Sequence, residues 1–390
     1  MSIAATVGTT HSETLSRITP FLLSDFSPPS PLKNISRFLT AALLVILSGC
    51  ELVSTTNEHE RIVEGISFDE LFRDASPAEI AAVEADWAAR TTPAMNVQVR
   101  HLEVITLGDS QATVVVVSHR VGGVVHYGAI ISPIGGQNDS RPVVVYAHGG
   151  DEGVSIDEHV LFVLGFFEEI SDRFVYVVPS YRSEELRYDD LLWKSGGEPS
   201  PWDYDVDDTM SLLSVTEALS PSADLSRVAV LGLSRGAGVG LLMGIRDSRV
   251  DQVIDFFGPT DFFGVFIQDV VEEALRGSLR DLPGLEHLNT AFIQPLKSGA
   301  MTIEGIRPEL IRRSPVLFVD RLDQVQIHHG TADQTVPVSQ GQSLVSAMQA
   351  AGRDEPDFEY YIYPGGTHSP FALESSFERA AAFLSRMLNE

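Results

Sequence analysis

The stretch RVAVLGLSRGAGVG, residues 227–240, passes from an apolar run through one serine into a series of small residues. The run VAVLGL has the pattern of a strand buried on both faces, and the small residues predict a helix packed closely against it. Ser234 stands at the corner, inside Gly-Leu-Ser-Arg-Gly, which fits G-x-S-x-G. On a sharp strand-to-helix turn a serine hydroxyl is exposed, and glycines stand where a Cβ would clash. The stretch predicts a nucleophilic serine, and an incidental serine in a glycine-rich turn is the alternative.

The segments around this corner alternate between apolar strands and helical stretches. Before residue 142, a period of two predicts antiparallel strands, the last pair joined at Gly122 and Gly123. After it, strand–helix alternation predicts an α/β fold, a doubly wound and mostly parallel sheet of about eight strands. Residues 262–322 are longer and more helical than a crossover requires, and we expect a cap there. The predicted strands of this part are PVVVYAHGG, FVYVVPSYR, VAVLGL, VDQVIDFFG, VQIHHG and FEYYIYPGG.

A serine hydroxyl is a weak nucleophile, so it needs a base, a carboxylate that orients the base, and donors for the developing oxyanion. Parallel α/β sheets place such groups on loops at the carboxyl ends of their strands. Asp333 follows the strand VQIHH, and His368 follows the last strand. The order Ser234, Asp333, His368 is the one expected of the α/β-hydrolase fold. His148-Gly149-Gly150 closes an early strand, where an oxyanion amide is expected.

From about Gln98 to the end, the chain resembles the catalytic domain of the prolyl oligopeptidase family of α/β-hydrolases. The matching pieces are YAHGG, PSYR, GLSRGAG, IHHGTADQTVPVSQGQSL and YPGGTH. The resemblance implies Ser234 as nucleophile, Asp333 as orienting acid and His368 as general base and then acid. It also implies an oxyanion hole formed by the backbone N–H of Arg235 and an amide near Gly149 or Gly150.

The chain departs from the peptidases of that family, which typically carry a large β-propeller in front of the catalytic domain. The segment between Cys50 and Gln98 is too short for a propeller. We identify no glutamate pair in the sequence that would bind a peptide amino terminus. An ester-cleaving hydrolase of the same architecture is therefore the alternative to a peptidase.

Other residues compete with these assignments. His329 is interpreted as a structural residue at a strand end, and His148 as a residue that shapes the oxyanion loop. Asp255 or Asp261 is an alternative orienting acid, since some hydrolases take it from the preceding strand. Three further aspartates resemble a metal site, but a helix start explains them better. Four phenylalanines belong either to the core or to the wall of an acyl pocket. These two sets are Asp205, Asp207 and Asp208, and Phe256, Phe257, Phe262 and Phe263.

The composition excludes several classes of partner and site. The 390 residues carry a net charge of −27 without a basic stripe, which argues against nucleic acid as a partner. The single cysteine, Cys50, excludes an intrachain disulfide and a cysteine-based metal site. We expect neither a metal nor a cofactor.

The amino-terminal residues have the pattern of a secretory signal. The apolar run FLTAALLVIL follows Lys33 and Arg37 and precedes Leu-Ser-Gly-Cys, which resembles the lipobox of bacterial lipoproteins. The resemblance implies a signal peptide over 1–49 and lipidation of Cys50, which would anchor the protein in the bacterial cell envelope. Residues 1–31 are unusually long and polar for such a signal, so translation starting at Leu32 is a further hypothesis.

The predicted organisation is a lipidated tether over 50–66, a helical extension over 67–96 and a catalytic domain over 97–390. The predicted activity is hydrolysis of an ester or a short peptide through an acyl-enzyme, without metal or cofactor. Two alternatives stay open: a non-catalytic lipoprotein that binds a ligand or partner on this scaffold, and a transferase that passes the acyl group to an alcohol or amine.

Overall fold

One nine-stranded sheet organises the part of the chain that a computed structural model describes, residues 60–90, 92–135, 140–167 and 169–389. The strands lie in the order β9-β8-β7-β6-β4-β5-β3-β2-β1. Five of the eight pairings are parallel, as predicted, and three at one edge are antiparallel. The strands are β1 (Met95–Leu107), β2 (Ser110–Val121), β3 (Val124–Pro133), β4 (Arg141–Ala147), β5 (Val175–Pro179), β6 (Ala223–Leu233), β7 (Val250–Phe256), β8 (Gln324–Gly330) and β9 (Phe358–Tyr363).

Both faces of the sheet are covered. Along β4, Val143 and Val145 point into one apolar core, and Val144 and Tyr146 point into another. Alternation of buried side chains between two cores is what a doubly wound sheet requires. The described α-helices are α1 (Phe68–Leu71), α2 (Pro77–Ala89), α3 (Phe162–Leu164), α4 (Tyr204–Leu219), α5 (Arg235–Arg246), α6 (Val265–Leu275), α7 (Leu285–Leu288), α8 (Gln294–Ser298), α9 (Ile303–Ile311), α10 (Ser339–Ala350) and α11 (Ser376–Leu384).

The antiparallel edge follows from local turn chemistry. Gly122 and Gly123 have φ of +55° and +85°, which suits the tight turn between β2 and β3. This edge contributes β1, β2 and β3 to the nine strands, in agreement with the expected sheet of about eight.

The described amino-terminal residues are more structured than the predicted tether. Ile62–Val63 and Ile66–Ser67 pair as a short hairpin, and Val63 is buried. The extension that follows is helical, as predicted, and Ser76 and Glu79 form a capping box at the start of α2. The predicted signal peptide and Cys50 lie outside the described residues. No described helix has the length and apolarity needed to cross a membrane.

The segment 262–322 contains α6 to α9 and the 3₁₀ segment Pro315–Arg321. It is helical, as predicted, and its role as a cap over the site stays a prediction. The sequence did not predict a small three-stranded sheet in the loops after β4 and β5. Its strands are Leu191–Lys194, Glu185–Tyr188 and Val154–Ser155.

Candidate active site

Ser234 occupies a strained corner between β6 and α5. Its φ of 53° and ψ of −119° lie in a region that residues other than glycine rarely adopt. Its backbone N–H donates to the carbonyl of Phe256 at 2.9 Å, which fixes the corner against β7. Strain of this kind collects at functional sites because the surrounding structure holds it in place.

Three side chains from different strand ends form one hydrogen-bonded chain. His368 Nε2 lies 2.9 Å from Ser234 Oγ, and His368 Nδ1 lies 2.7 Å from Asp333 Oδ2. In the tautomer that satisfies both contacts, Nδ1–H donates to the carboxylate and the serine hydroxyl donates to Nε2. The structure thus brings together the three residues predicted from the sequence.

The carboxylate of Asp333 is held on both sides. Its Oδ1 accepts hydrogen bonds from the backbone N–H groups of Thr335 and Val336, at 2.9 and 3.0 Å. Its Oδ2 is left for His368, whose ring also packs 4.4 Å from the ring of Phe257, between centroids. The imidazole is therefore oriented by a fixed acid and by an aromatic neighbour.

The predicted oxyanion donors lie beside the serine. Gly149 is so close to the corner that a Cβ there would sit 2.9 Å from the carbonyl oxygen of Leu233 and 3.1 Å from the Cβ of Ser234. Gly150, with φ of +76°, adopts a conformation that favours glycine. Arg235 is the first residue of α5, where backbone N–H groups lack partners within the helix.

The side chain of Arg235 forms a buried network that the sequence did not reveal. Its guanidinium donates to Asp205 at 2.7 and 3.0 Å, to Glu184 at 2.5 Å and to the carbonyl of Gly150 at 3.1 Å. Arg235 is 2% exposed and lies over the ring of Tyr181. Burial raises the pKa of Glu184 to about 7, against the opposing effect of Arg235. The network ties the start of α5 to the loop after β4.

The two competing histidines have structural positions. His148 Nδ1 lies 3.0 Å from the carbonyl of Gly149, and its ring stacks on Tyr181 at 4.2 Å. Burial lowers the pKa of His148 to about 3. His329 is fully buried, with Nε2 2.9 Å from the carbonyl of Val336, and burial lowers its pKa as well. Both rings are neutral supports in this geometry.

The two alternative acids, Asp255 and Asp261, accept hydrogen bonds from backbone N–H groups of the loop after β7. Asp255 is fully buried and accepts from the N–H of Gly258 at 2.7 Å, and burial raises its pKa to about 7. Asp261 accepts from the N–H groups of Phe263 and Gly264, both at 2.9 Å. The acid within hydrogen-bond distance of His368 is Asp333.

The three aspartates of α4 are buried in ion pairs. Asp207 contacts Arg90 and Arg246, Asp208 contacts Arg182, and Asp205 contacts Arg235. The acid-rich helix start therefore has arginine partners, an explanation that the helix dipole alone did not provide. Within the described ranges, no group of three or more metal-ligating side chains could hold a metal ion.

Ser234 lies between two depressions. The first is an apolar pocket beneath the segment 262–322, reaching Thr335 and Val336. The second is a wider crevice that contains His368, Gly149 and Gly150. The apolar side chains of the first pocket are Trp202, Pro259, Phe262, Phe266, Ile267, Leu282, Pro283, Leu285 and Val336.

The sequence left open whether four phenylalanines belong to the core or to the wall of an acyl pocket, and the structure gives each a position. Phe262 lines the apolar pocket, and Phe257 lines the crevice. Phe256 is a core residue stacked on His328 at 4.6 Å. Phe263 is half-buried and lies 5.3 Å from the guanidinium of Arg307.

No protein-family model and no curated protein sequence matches the chain. Among solved structures, acetyl xylan esterase 1 of Thermoanaerobacterium sp. superposes with a TM-score of 0.52 at 16% identity, over 82% of this chain and 93% of that one. An esterase of Pyrococcus furiosus gives a TM-score of 0.45 at 16% identity, over 80% and 96%. A puromycin-hydrolysing peptidase of Mycobacterium tuberculosis gives 0.49 at 16% identity and covers 75% of this chain, which spans 48% of that peptidase.

The first of these superpositions and the strand order agree on the fold. This chain has the α/β-hydrolase fold. The narrower resemblance to the prolyl oligopeptidase family stays a prediction, as does the signal peptide.

Proposed function

We propose that this protein is a serine hydrolase that cleaves a carboxylic ester or peptide bond through an acyl-enzyme. The observation that carries the proposal is the hydrogen-bonded chain from Asp333 through His368 to Ser234, at the junction of two depressions. A base within hydrogen-bond distance of both the nucleophile and the orienting acid is the arrangement that activates a serine hydroxyl.

Each step follows from this geometry. His368 Nε2 accepts the hydroxyl proton while Ser234 Oγ attacks the substrate carbonyl carbon, and the carbonyl oxygen becomes an oxyanion. The N–H of Arg235 and an amide of the 149–150 loop stabilise that charge. When the carbon–leaving-group bond breaks, the proton on Nε2 passes to the leaving group. Water then repeats the sequence on the acyl-enzyme, releasing the acid and restoring the serine.

The position of His368 assigns the two depressions. A leaving group must receive its proton from Nε2, so it lies in the crevice that His368 lines. The acyl part then enters the apolar pocket, which Ser234 also lines. Buried aromatic and aliphatic walls favour an apolar acyl group there, whether it belongs to an acid or to the residue before a peptide bond.

Serine labelling and turnover test the proposal together. Ser234→Ala removes the nucleophile, so we expect loss of fluorophosphonate labelling and of turnover with little change in melting temperature. Ser346→Ala, at an exposed serine on α10, is the matched control. A panel of p-nitrophenyl esters and aminoacyl or prolyl p-nitroanilides separates esterase from peptidase, and competing alcohols or amines reveal a transferase. Undiminished hydrolysis by Ser234→Ala would refute the mechanism, and an unlabelled wild-type protein would favour the non-catalytic binder.

We also propose that lipid on Cys50 anchors the enzyme in the bacterial cell envelope. The support is the sequence pattern that ends at Cys50. Metabolic labelling with an alkynyl fatty acid should mark the wild-type chain and leave Cys50→Ser unmarked and released from the membrane fraction. Equal labelling of both chains would refute the anchor.

A further inference from the structure

Three phenylalanines form an exposed aromatic cluster near the site. Phe162, Phe166 and Phe371 are 55%, 46% and 55% exposed, and their ring centroids lie 5.2 to 5.7 Å apart. Single exposed apolar side chains are normal on a protein surface, but a contiguous group marks a site of contact. We call these three residues the aromatic shelf.

The shelf rests on a buried base. Phe166 stacks on Phe377 with 4.6 Å between centroids and 16° between planes, and Phe377 is only 8% exposed. Phe377 in turn packs against Phe256, the last residue of β7, in one of the two cores. A ring held from below loses little freedom when another ring or an alkyl chain packs on top of it, so the shelf is preorganised for an apolar ligand.

Two residues of the aromatic shelf line the crevice beside the catalytic residues. Phe162 and Phe371 line the crevice that also contains Ser234 and His368, whereas neither lines the apolar pocket. Phe371 follows His368 by three residues in the chain, in the short 3₁₀ helix Pro370–Ala372. The crevice also contains Glu158 and His159 beside other apolar side chains, so the shelf supplies one apolar part of a wall that is partly polar.

We infer that the aromatic shelf binds the leaving group, and that the preferred substrates are esters of aryl or arylalkyl alcohols. The inference rests on the proposed function, because the side of the leaving group is defined by proton transfer from His368. An aromatic alcohol that leaves next to Nε2 has its ring within the crevice that Phe162 and Phe371 line. Edge-to-face or offset contacts with these rings would stabilise the acylation transition state.

Two acetate esters provide the test, because both give the same acyl-enzyme. Ethyl acetate and 2-phenylethyl acetate release alkyl alcohols of similar basicity, so the ratio of their kcat/KM values reports the contact made by the aromatic ring. We expect the wild-type enzyme to prefer the phenylethyl ester by roughly tenfold. Phe371→Ala and Phe162→Ala should each lower that preference roughly three- to tenfold, whereas Phe371→Tyr should retain most of it.

Leu102→Ala is the matched control, since Leu102 is an apolar side chain 60% exposed on β1, outside the crevice lining. It should keep the wild-type ratio. An unchanged ratio in both shelf variants would overturn the inference while leaving the hydrolase intact. A wild-type protein that reacts with a fluorophosphonate but hydrolyses neither ester would also overturn the inference. A wild-type protein that neither reacts with a fluorophosphonate nor hydrolyses any ester or anilide of the panel would instead refute the proposed function.

Two other ligands of the shelf, a second subunit and a lipid surface, would give different experimental results. If Phe162→Ala dissociates an oligomer in sedimentation velocity without altering the ester ratio, the shelf is a subunit contact and the inference is wrong. If the same variant loses binding to phosphatidylcholine vesicles without altering the ratio, the shelf contacts lipid and the inference is again wrong.

Discussion

The guanidinium of Arg235 offers a sharp test of how the site is supported. We consider Arg235→Met, which keeps an apolar stem of similar length and leaves the backbone N–H in place. The substitution removes hydrogen bonds to Asp205, Glu184 and the carbonyl of Gly150. Both carboxyl groups stay buried, at 0% and 5% exposure, without their arginine.

The magnitude follows from the two carboxyl groups that lose their partner. Removing one member of a buried ion pair costs about 3–5 kcal/mol, because the remaining charge is unpaired in a medium of low polarity. Asp205 retains one donor, the N–H of Trp202 at 3.2 Å, and Glu184 can take up a proton because burial raises its pKa to about 7. We therefore expect Arg235→Met to lower the free energy of unfolding by about 3–5 kcal/mol at about pH 8.

The sign of the pH dependence is fixed by the same groups. Burial raises the pKa of Asp205 and of Glu184 in the folded protein, and loss of the arginine raises both pKa values further above those of the unfolded chain. Between the two values the folded state binds more protons than the unfolded state. Relative to the wild type, the destabilisation therefore grows with pH only between the folded-state pKa values of the wild type and those of the variant, by about 1.4 kcal/mol per pH unit for each carboxyl group, and it is smallest below the wild-type values.

Urea unfolding followed by circular dichroism, at several pH values, measures this effect. Arg187→Met is the matched control, because Arg187 pairs with Glu185 at a half-exposed site and should contribute less than about 1 kcal/mol. Adding Asp205→Asn and Glu184→Gln to Arg235→Met should restore about 2 kcal/mol or more at about pH 8 and remove the pH dependence. A loss below about 1 kcal/mol in Arg235→Met, equal at all pH values, would refute the reasoning.

Three further substitutions test the site and its surroundings. Asp333→Asn should lower kcat by roughly 10⁴-fold at unchanged stability, because an amide NH₂ facing His368 stabilises the wrong tautomer; steady-state kinetics with a p-nitrophenyl ester would show it. Gly149→Ala places a Cβ 3.1 Å from the Cβ of Ser234 and should lower kcat by roughly 10²-fold, whereas an unchanged kcat would exclude this loop from the oxyanion hole. Burial lowers the pKa of His328 to about 3, so its neutral ring stabilises the fold above pH 6.5 and this contribution is lost as pH falls. His328→Gln should therefore reduce the pH slope of unfolding free energy between about pH 6 and pH 4 by about 1.4 kcal/mol per unit. An equal slope in urea titrations of both proteins would contradict that assignment.

The sequence was sufficient where local pattern determines the element. The run VAVLGL ends β6 at Leu233, and α5 begins two residues later, so the corner at Ser234 was predicted to the residue. Asp333 and His368 were found because the topology of a parallel sheet brings the carboxyl ends of its strands to one edge. Their convergence could be predicted without knowing any contact between them.

The features that could not be predicted depend on contacts between residues that are distant in the sequence. Glu184, Asp205 and Arg235 come from three separate segments, and nothing in their local patterns indicates that they meet. The hairpin Ile62–Ser67 lies within a polar stretch whose two buried positions, Val63 and Phe68, acquire their role only through packing. The division of the site into pocket and crevice depends on where the helical segment 262–322 settles, which no periodicity specifies.

The glycines of the opening stretch are explained by how closely three backbone segments meet. A Cβ on Gly236 would lie 2.0 Å from the carbonyl oxygen of Ala147, and one on Gly232 would lie 2.4 Å from the Cα of Ala237. Four glycines in α5 cost the helix about 1 kcal/mol each relative to alanine, so helix propensity does not account for them. Gly236 allows the first turn of α5 to reach the end of β4, where Gly149 and Gly150 follow. The close approach of α5 to the end of β4 thus brings Arg235 near the loop of Gly149 and Gly150, which contains the second predicted oxyanion donor.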